Sequence, residues 1–354
     1  MSGTPPPHAA ASPTNPSPGF GPRTVLVTGA SGLLGSAVAA LLAERGHVVR
    51  TLQRRPSPAA GTTHVPGSVT DPQAVARAVE ESDAVVHLAA KVSITGDWSD
   101  FAETNIHGTS RLLEAARAAG VRDFVQVSSP SVAHFGASIV GAPAGRADPA
   151  RARGHYARSK AAAELLALAE DGPGFRVAAV RPHIVWGPGD TQLVERVVSR
   201  ARAGRLPLLD GGAALIDTTY LDNAAEAIVR TLERMDHTHG QAVVVTNGEP
   251  RPVGELIAGI CLAAGVTPPA WSVPGSLARG AGAVIERAWA AAGRRGWVRD
   301  EPPMTRFLAE QLSTAHWFDQ RRTRELLDWT PALGIDDGLR RLAEHYQAEH
   351  YQGA

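Results

Sequence analysis

Thr28-Gly29-Ala30-Ser31-Gly32-Leu33-Leu34-Gly35 is preceded by a short apolar run from Thr24 and followed by a helix-patterned run through Glu44. Its glycines are spaced Gly-x-x-Gly-x-x-Gly. Strand, tight turn and helix in immediate succession are the setting in which such glycines hold a dinucleotide. Gly29 permits the turn, Gly32 lets the backbone approach a pyrophosphate, and Gly35 lets helix and strand pack closely. The phosphates then meet free N–H groups and the positive end of the helix dipole. Ser31, Leu33 and Leu34 lie within this turn and helix start. The bland alternative is a Gly-rich turn without a ligand.

Outward from the turn, strand and helix patterns alternate. Residues 48–52, 63–66, 84–88, 124–128 and 176–180 read as strands; 72–80, 101–119 and 157–169 read as helices. Such alternation predicts an α/β fold, a Rossmann-type doubly wound parallel sheet covered on both faces. Ligands bind such sheets at the carboxyl ends of the strands. The glycine turn, Lys91, Ser128 to Ser131 and Pro182-His183 fall there. After Gly187 the alternation loosens into helices over 192–203, 224–233, 253–264, 277–292, 305–312 and 336–347. This predicts a smaller, mostly helical C-terminal substrate lobe. The expected division is a disordered Pro-, Ser- and Ala-rich tail over 1–22, and a dinucleotide-binding domain over 23–186 with returning segments near 214–247. The substrate lobe takes 187–213 and 248–354.

An acidic residue about 20 positions past the glycines would hold the ribose 2′-hydroxyl of NAD. The second strand runs instead into Gln53-Arg54-Arg55. Two guanidiniums suit a 2′-phosphate, so NADPH is the favoured cofactor and NAD the alternative. The competing view is that Arg54 and Arg55 are solvated loop residues.

Only two lysines, Lys91 and Lys160, occur among 35 basic residues. Tyr156 and Lys160 stand four apart at the start of a helix and share a face. A fixed ammonium beside a phenol favours the phenolate, which predicts a lowered Tyr156 pKa and an acid–base role. A surface pair is the structural alternative.

Acidic and basic residues balance at 35 each, so no charge field favours nucleic acid. One cysteine, Cys261, fits a reducing, cytoplasmic location, and no His/Cys spacing suggests a metal. No signal peptide or bilayer-spanning segment is evident. The segment 277–292 carries Arg279, Glu286 and Arg287 and reads as an amphipathic cover helix.

These segments together resemble the extended short-chain dehydrogenase/reductase family, within the NAD-dependent epimerase/dehydratase superfamily. The match runs in order through the glycine turn, His87-Leu88-Ala89-Ala90, Asn105 in Thr-Asn-Ile-His-Gly-Thr, Ser128-Ser129 and Tyr156 to Lys160. It continues through Arg181-Pro182, Gly187-Pro188-Gly189-Asp190 and Tyr220-Leu221-Asp222-Asn223-Ala224. Within the family the chain is most similar to the 3β-hydroxysteroid dehydrogenase-like branch, and there to the 2-alkyl-3-oxoalkanoate reductases of bacterial olefin biosynthesis. Ser128 to Val132, Arg181 to Gly187 and Glu301 to Phe307 carry that likeness. Two departures stand out. Ser68 replaces a frequent aspartate near the adenine, leaving that contact to the Val69 backbone. Ala133 replaces the tyrosine usual in sugar-nucleotide epimerases.

The resemblance implies that Tyr156 gives a proton to a substrate carbonyl as hydride arrives, that Lys160 tunes Tyr156 and bonds the nicotinamide ribose, and that Ser129 orients the carbonyl. It implies cofactor contacts at Ala89, Ala90, Ser128, Pro182 and His183, and a brace from Asn105 to the Lys160 helix, directly or through water. Helix capping is the alternative for Asn105, and strand-end polarity the alternative for the serines. Ser131, His183 and Trp186 are candidates for the substrate pocket, against a core histidine and a packed indole. Lys91 is a candidate partner for a substrate carboxylate, against a cofactor contact or a solvated lysine. The expected partner is a hydrophobic ketone or alcohol, with a homodimer possible. A 3β-hydroxysteroid dehydrogenase is the alternative activity; a sugar-nucleotide epimerase or a non-catalytic dinucleotide sensor fits less well.

Overall fold

A computed structural model describes residues 21–93, 96–294 and 305–352. Nearly all of the expected tail, and residues 301–304 of the C-terminal motif, lie outside them. The glycine turn joins β1 (Thr24–Thr28) to α1 (Leu33–Glu44). The chain continues through β2 (Val48–Gln53), β3 (Thr62–Pro66), α2 (Pro72–Val79) and β4 (Ala84–His87). After it come α3 (Trp98–Phe101), α4 (Gly108–Ala118), β5 (Asp123–Val127), β6 (Ile139–Ala142), α5 (Gly154–Ala169) and β7 (Arg176–Pro182).

Seven strands form one parallel sheet, ordered β3, β2, β1, β4, β5, β7 and a last strand, Ala242–Val245. The order reverses between β1 and β4, and that switch point opens a crevice at the carboxyl edge. β4 and β5 are buried at every position because helices cover both faces. α1 and the helix Leu221–Glu233 pack one face through residues such as Val38, Leu42, Ile228 and Leu232. α2 and α4 pack the other through Val75, Val79, Leu112 and Leu113. At the start of α2, the Asp71 side chain accepts from the Gln73 and Ala74 amides, and Pro72 needs no amide partner there.

The expected single helix over 101–119 is broken. A π-helical segment, Ala102–His107, separates α3 from α4 and carries Asn105 inward. Beyond β7 the structure is mostly helical, as expected. It also holds a small second sheet that the sequence pattern does not announce. Arg251–Pro252, Leu215–Ile216, His316–Phe318 and β6 form it, from strands two to four residues long. Leu326, Leu327 and Trp329 pack into the core of the main sheet, so the C-terminal segment crosses back over the expected division.

Asn223 sits inside the helix Leu221–Glu233 and caps nothing. Its Nδ2 donates to Asn247 Oδ1 (3.0 Å) and the Leu333 carbonyl (2.7 Å); its Oδ1 accepts from the Ala332 and Leu333 amides. It therefore clamps the segment after Trp329 onto the sheet. Among the described residues no helix is long and apolar enough to cross a membrane, and no group of three His, Cys, Asp or Glu side chains could hold a metal.

Candidate active site

At the switch point lies a cleft of about 1340 Å³. Its floor is the glycine turn. Gly29 has φ +75°, and a Cβ there would lie 2.8 Å from the Ala89 amide nitrogen. A Cβ at Gly35 would lie 2.3 Å from the Gly29 carbonyl oxygen, so only glycine permits this helix–strand contact. A Cβ at Gly32 would meet nothing closer than 3.5 Å; its cost would be to occupy the cleft itself. Ser31, Leu33 and Leu34 line the same floor.

At one end of the cleft Arg54 and Arg55 are exposed at the end of β2, and Val69 lies beyond β3. Ser68 Oγ is engaged with Thr70 Oγ1 at 2.8 Å. At the other end the cleft is lined by Ala89 and Ala90 after β4, Ser128 and Ser129 after β5, Tyr156 and Lys160 on α5, and Pro182 at the end of β7. Ser128 Oγ is buried without a hydrogen-bond partner. The backbone cradle that a Cβ would fill, the orphaned Ser128 hydroxyl and two unpaired guanidiniums all fit a dinucleotide. Residues Gly29 to Gly35 would hold its pyrophosphate and Ala89, Ser128 and Lys160 its nicotinamide half.

Ser129 and Tyr156 also border a second pocket, of about 310 Å³, which opens beneath the C-terminal lobe. Ser131 donates to Ser129 Oγ from its hydroxyl (3.0 Å) and its amide (3.3 Å), so Ser129 has its own hydroxyl proton left to give. Lys160 is buried, and its Nζ donates to the Val127 carbonyl at 2.6 Å. Burial lowers its pKa to about 8, with Glu164 opposing. Tyr156 departs from the expected direction: burial raises its pKa, and the Ser129 hydroxyl opposes that rise. The Lys160 ammonium is engaged with the end of β5, so desolvation of the phenol dominates.

Asn105 lies outside the cleft lining and is not a cap. Its Oδ1 accepts from the Lys91 amide (2.7 Å); its Nδ2 donates to Ser159 Oγ (2.9 Å) and the Lys91 carbonyl (3.2 Å). It thereby ties the loop after β4 to α5 one residue before Lys160, without water.

The remaining candidates separate. Lys91 lines the dinucleotide cleft only; its Nζ donates to Asp100 Oδ2 at 2.6 Å and lies 5.2 Å from the Phe101 ring centroid. An internal carboxylate occupies the role offered to a substrate. His183 lines the second pocket, not the cleft. Its Nδ1 donates to the Asp217 carbonyl (2.6 Å), and burial lowers its pKa to about 4. Trp186 borders neither pocket. It is fully buried, edge-on to Tyr220, with Nε1 donating to Thr218 Oγ1 at 2.9 Å. Its strand partner Thr219–Tyr220 and Gly338 close around the ring, so the packed indole is the outcome.

Two buried arrangements escape sequence reading. Ala89 N donates to Thr28 Oγ1, which donates to His87 Nδ1; His87 Nε2 donates to Thr109 Oγ1, which donates to the Asn105 carbonyl. Burial holds His87 at about 3, so the neutral ring links glycine turn, β4 and π segment. Arg181 donates twice to the Glu164 carboxylate (2.5 and 2.8 Å) and once to the Gly145 carbonyl. His87 falls in the matched motif and Glu164 four residues past Lys160, the only signals that pointed to them.

The sequence model of the NAD dependent epimerase/dehydratase family matches residues 25–246. The chain is 39% identical over 332 residues to a 2-alkyl-3-oxoalkanoate reductase of Stenotrophomonas maltophilia (strain K279a), covering 90% of this chain and 98% of that one. It is 29% identical over 337 residues to a 3-beta-hydroxysteroid dehydrogenase of Mycolicibacterium neoaurum, covering 91% of each. Among solved structures, gox2253 aligns with TM-score 0.74 at 26% identity over 93% of this chain and 99% of that one. Crevice, cradle and relatives agree: the chain belongs to the NAD dependent epimerase/dehydratase family and is an NAD(P)-dependent oxidoreductase acting on CH–OH groups.

Proposed function

We propose that the protein reduces the ketone of a 3-oxo acid or a related hydrophobic ketone to the alcohol, with NADPH. One observation carries this reading: Ser129 and Tyr156 line both the dinucleotide cleft and the second pocket, and of the five described residues common to the two, which also include Ile184, Gln192 and Leu193, they alone carry hydroxyls. A ketone in the second pocket can reach both hydroxyls and the nicotinamide end of the cleft. When bound, the nicotinamide supplies the hydride. Ser129 donates to the carbonyl oxygen and fixes its direction, while Ser131 holds Ser129. Tyr156 passes its phenolic proton to the same oxygen, which becomes the alcohol. A phenol kept protonated by burial is the form that reduction needs. Lys160, whose Nζ donates to the Val127 carbonyl, would bond the nicotinamide ribose and restore the proton.

NADPH is favoured by Arg54 and Arg55 at the end of β2. The relative from Stenotrophomonas maltophilia supports the 3-oxo acid class. A 3β-hydroxysteroid dehydrogenase is the second reading, favoured by the aliphatic wall of the second pocket and by the Mycolicibacterium neoaurum relative. The pocket's 310 Å³ lies at the small end of ligand sites, which suits a branched acyl chain better than a fused-ring nucleus. β-Keto acids shed carbon dioxide, so the test runs the reaction backward. A 2-alkyl-3-hydroxy acid, a 3β-hydroxysteroid and a sugar nucleotide are offered with NADP+ or NAD+, and reduced nicotinamide is followed by absorbance. Turnover of the hydroxy acid with NADP+ is expected; turnover of the steroid alone would overturn the reading.

A further inference from the structure

Lys91 lines the dinucleotide cleft and not the second pocket, so a ketone held in the second pocket meets its carboxylate partner elsewhere. The second pocket has an unusual charge balance. No Asp or Glu is among its described lining residues, whereas Arg196, Arg200 and three histidines are. The dinucleotide cleft, by contrast, is lined in part by Asp100, Glu103 and Asp190. The histidines do not supply the positive charge. Burial lowers His183 to about 4 and His316 to about 3, and lowers His134 as well. They also lie close together: His134 and His316 have ring centroids 4.4 Å apart, so charging one disfavours charging the next.

Among the described lining residues the permanent positive charge is therefore that of the two arginines. They stand four apart on the helix Val194–Arg202, so both guanidiniums leave the same face, the one that also carries Val197 into the pocket. Across from them Val253, Leu256, Ile257 and Ile260 form an aliphatic stripe on the helix Val253–Ala263. A pocket with cations on one wall, aliphatic side chains on another and Ser129 and Tyr156 at its junction with the cleft matches an amphipathic anion. Its reacting carbonyl, its carboxylate and its alkyl branch each have a wall.

We propose that Arg196 and Arg200 form a carboxylate-binding subsite that selects free 3-oxo and 3-hydroxy acids over their esters and over simple ketones. Both arginines make other contacts too, and a guanidinium's five donors allow several at once. This rests on the reductase reading above, which it deepens by assigning the part of the site that reads the acid.

The experiment measures kcat/KM for a 2-alkyl-3-hydroxy acid and for its methyl ester, in the oxidative direction with NADP+. It compares the full-length enzyme with Arg196→Gln, Arg200→Gln and the double variant. A charge-assisted contact corresponds to a factor of roughly 10 to 150. The wild type should prefer the acid by at least about that factor, and the acid-to-ester ratio should fall about tenfold or more in one single variant and further in the double. Arg196→Lys and Arg200→Lys should keep part of the preference, because charge survives while the bidentate fork does not. Melting temperature and NADP+ affinity, measured on every variant, report folding separately from selectivity. Turnover of acid and ester at similar efficiency by the wild type overturns the subsite alone. So does a ratio that stays put while both substrates slow together. Inertness of the wild type toward both compounds overturns the reductase reading and the subsite with it.

Discussion

Replacing Asn105 by alanine should disable the site without touching any atom that lines it. The side chain is 1% exposed and makes three hydrogen bonds. Its loss strips the Lys91 amide of its acceptor and Ser159 of one donor, and leaves a small cavity beside the π segment. Net hydrogen bonds contribute about 0.5–1.5 kcal/mol each and an orphaned buried group costs about 1–3 kcal/mol, so a destabilisation of about 2–4 kcal/mol is expected. At roughly 2–4 °C per kcal/mol, melting should fall by ~4–16 °C. The larger effect should fall on turnover. Without this brace, the loop after β4 and the Ser159 turn of α5 are no longer tied, and Tyr156 and Lys160 ride on that turn. We expect kcat to drop by about tenfold or more while the dinucleotide Kd moves little, since the glycine floor is untouched. Ser159→Ala should reproduce much of the turnover loss. The double variant should lose less than the two singles combined, because both cut the same link. Wild-type kcat in Asn105→Ala, or strict additivity with Ser159→Ala, would refute the brace.

Four further outcomes are expected. Tyr156→Phe should lower turnover by about 10²–10⁴-fold with cofactor binding retained by fluorescence titration, because only the proton donor is removed. The wild type should prefer NADPH in kcat/KM, and Arg54→Ala or Arg55→Ala should cost NADPH ~10- to 150-fold and NADH far less; better use of NADH by the wild type would remove the 2′-phosphate role. Lys91→Met should leave the acid-to-ester ratio near the wild-type value, because that ammonium already serves Asp100; a selective rise in KM for the acid would return the carboxylate to Lys91. Asp217 is buried, and burial raises its carboxyl from 3.8 to about 6 against hydrogen bonds from Thr246, Gly248 and Glu249. Between those values the folded state binds more protons than the unfolded, so stability is lost as pH rises through about 6, by at most about 3 kcal/mol. Asp217→Asn should flatten that part of the denaturation profile, and an unchanged slope would reject the assignment.

The dinucleotide half of the molecule was legible because each piece announces itself locally. The glycine turn needs backbone room that only glycine has, β4 and β5 hold the short apolar stretches Ala84 to Val86 and Phe124-Val125, and Tyr156 and Lys160 share one helical face. The region around the second pocket was far less legible. Its small sheet is built from strands of two to four residues, too short for any period to show. Its pocket gathers Ser131, His183, Arg196, Ile257 and His316 from five separate segments, which no spacing along the chain relates. Trp186 illustrates the ambiguity: an indole after a strand end reads equally as pocket or core, and only the closure of Tyr220 and Gly338 around it decides. The π segment was invisible for another reason, since residues 101–119 keep helical patterning while the hydrogen bonds shift by one residue to turn Asn105 inward.

The scarcity of lysine has different meanings at its two positions. At Lys160 the site is a buried slot where the ammonium hydrogen-bonds one carbonyl, that of Val127, while the Glu164 carboxylate acts on it only through space and is itself bonded to Arg181. An ammonium can enter such a slot because its charge is negotiable: burial lowers it to about 8. A guanidinium would remain charged and would bring five donors to a place with one acceptor. Where the same helix meets β7, the need is opposite. Glu164 presents a full buried carboxylate, and Arg181 answers it with two parallel donors and a third to Gly145. One turn of α5 thus separates a position that excludes arginine from one whose partner requires it, and Lys160→Arg should fail for reasons of donor count as much as of shape. Lys91 obeys no such constraint. It pairs with the exposed Asp100 at the rim of the cleft, where an arginine would serve as well, so rarity alone does not mark a lysine as functional. What marks it is the number of acceptors around the charge.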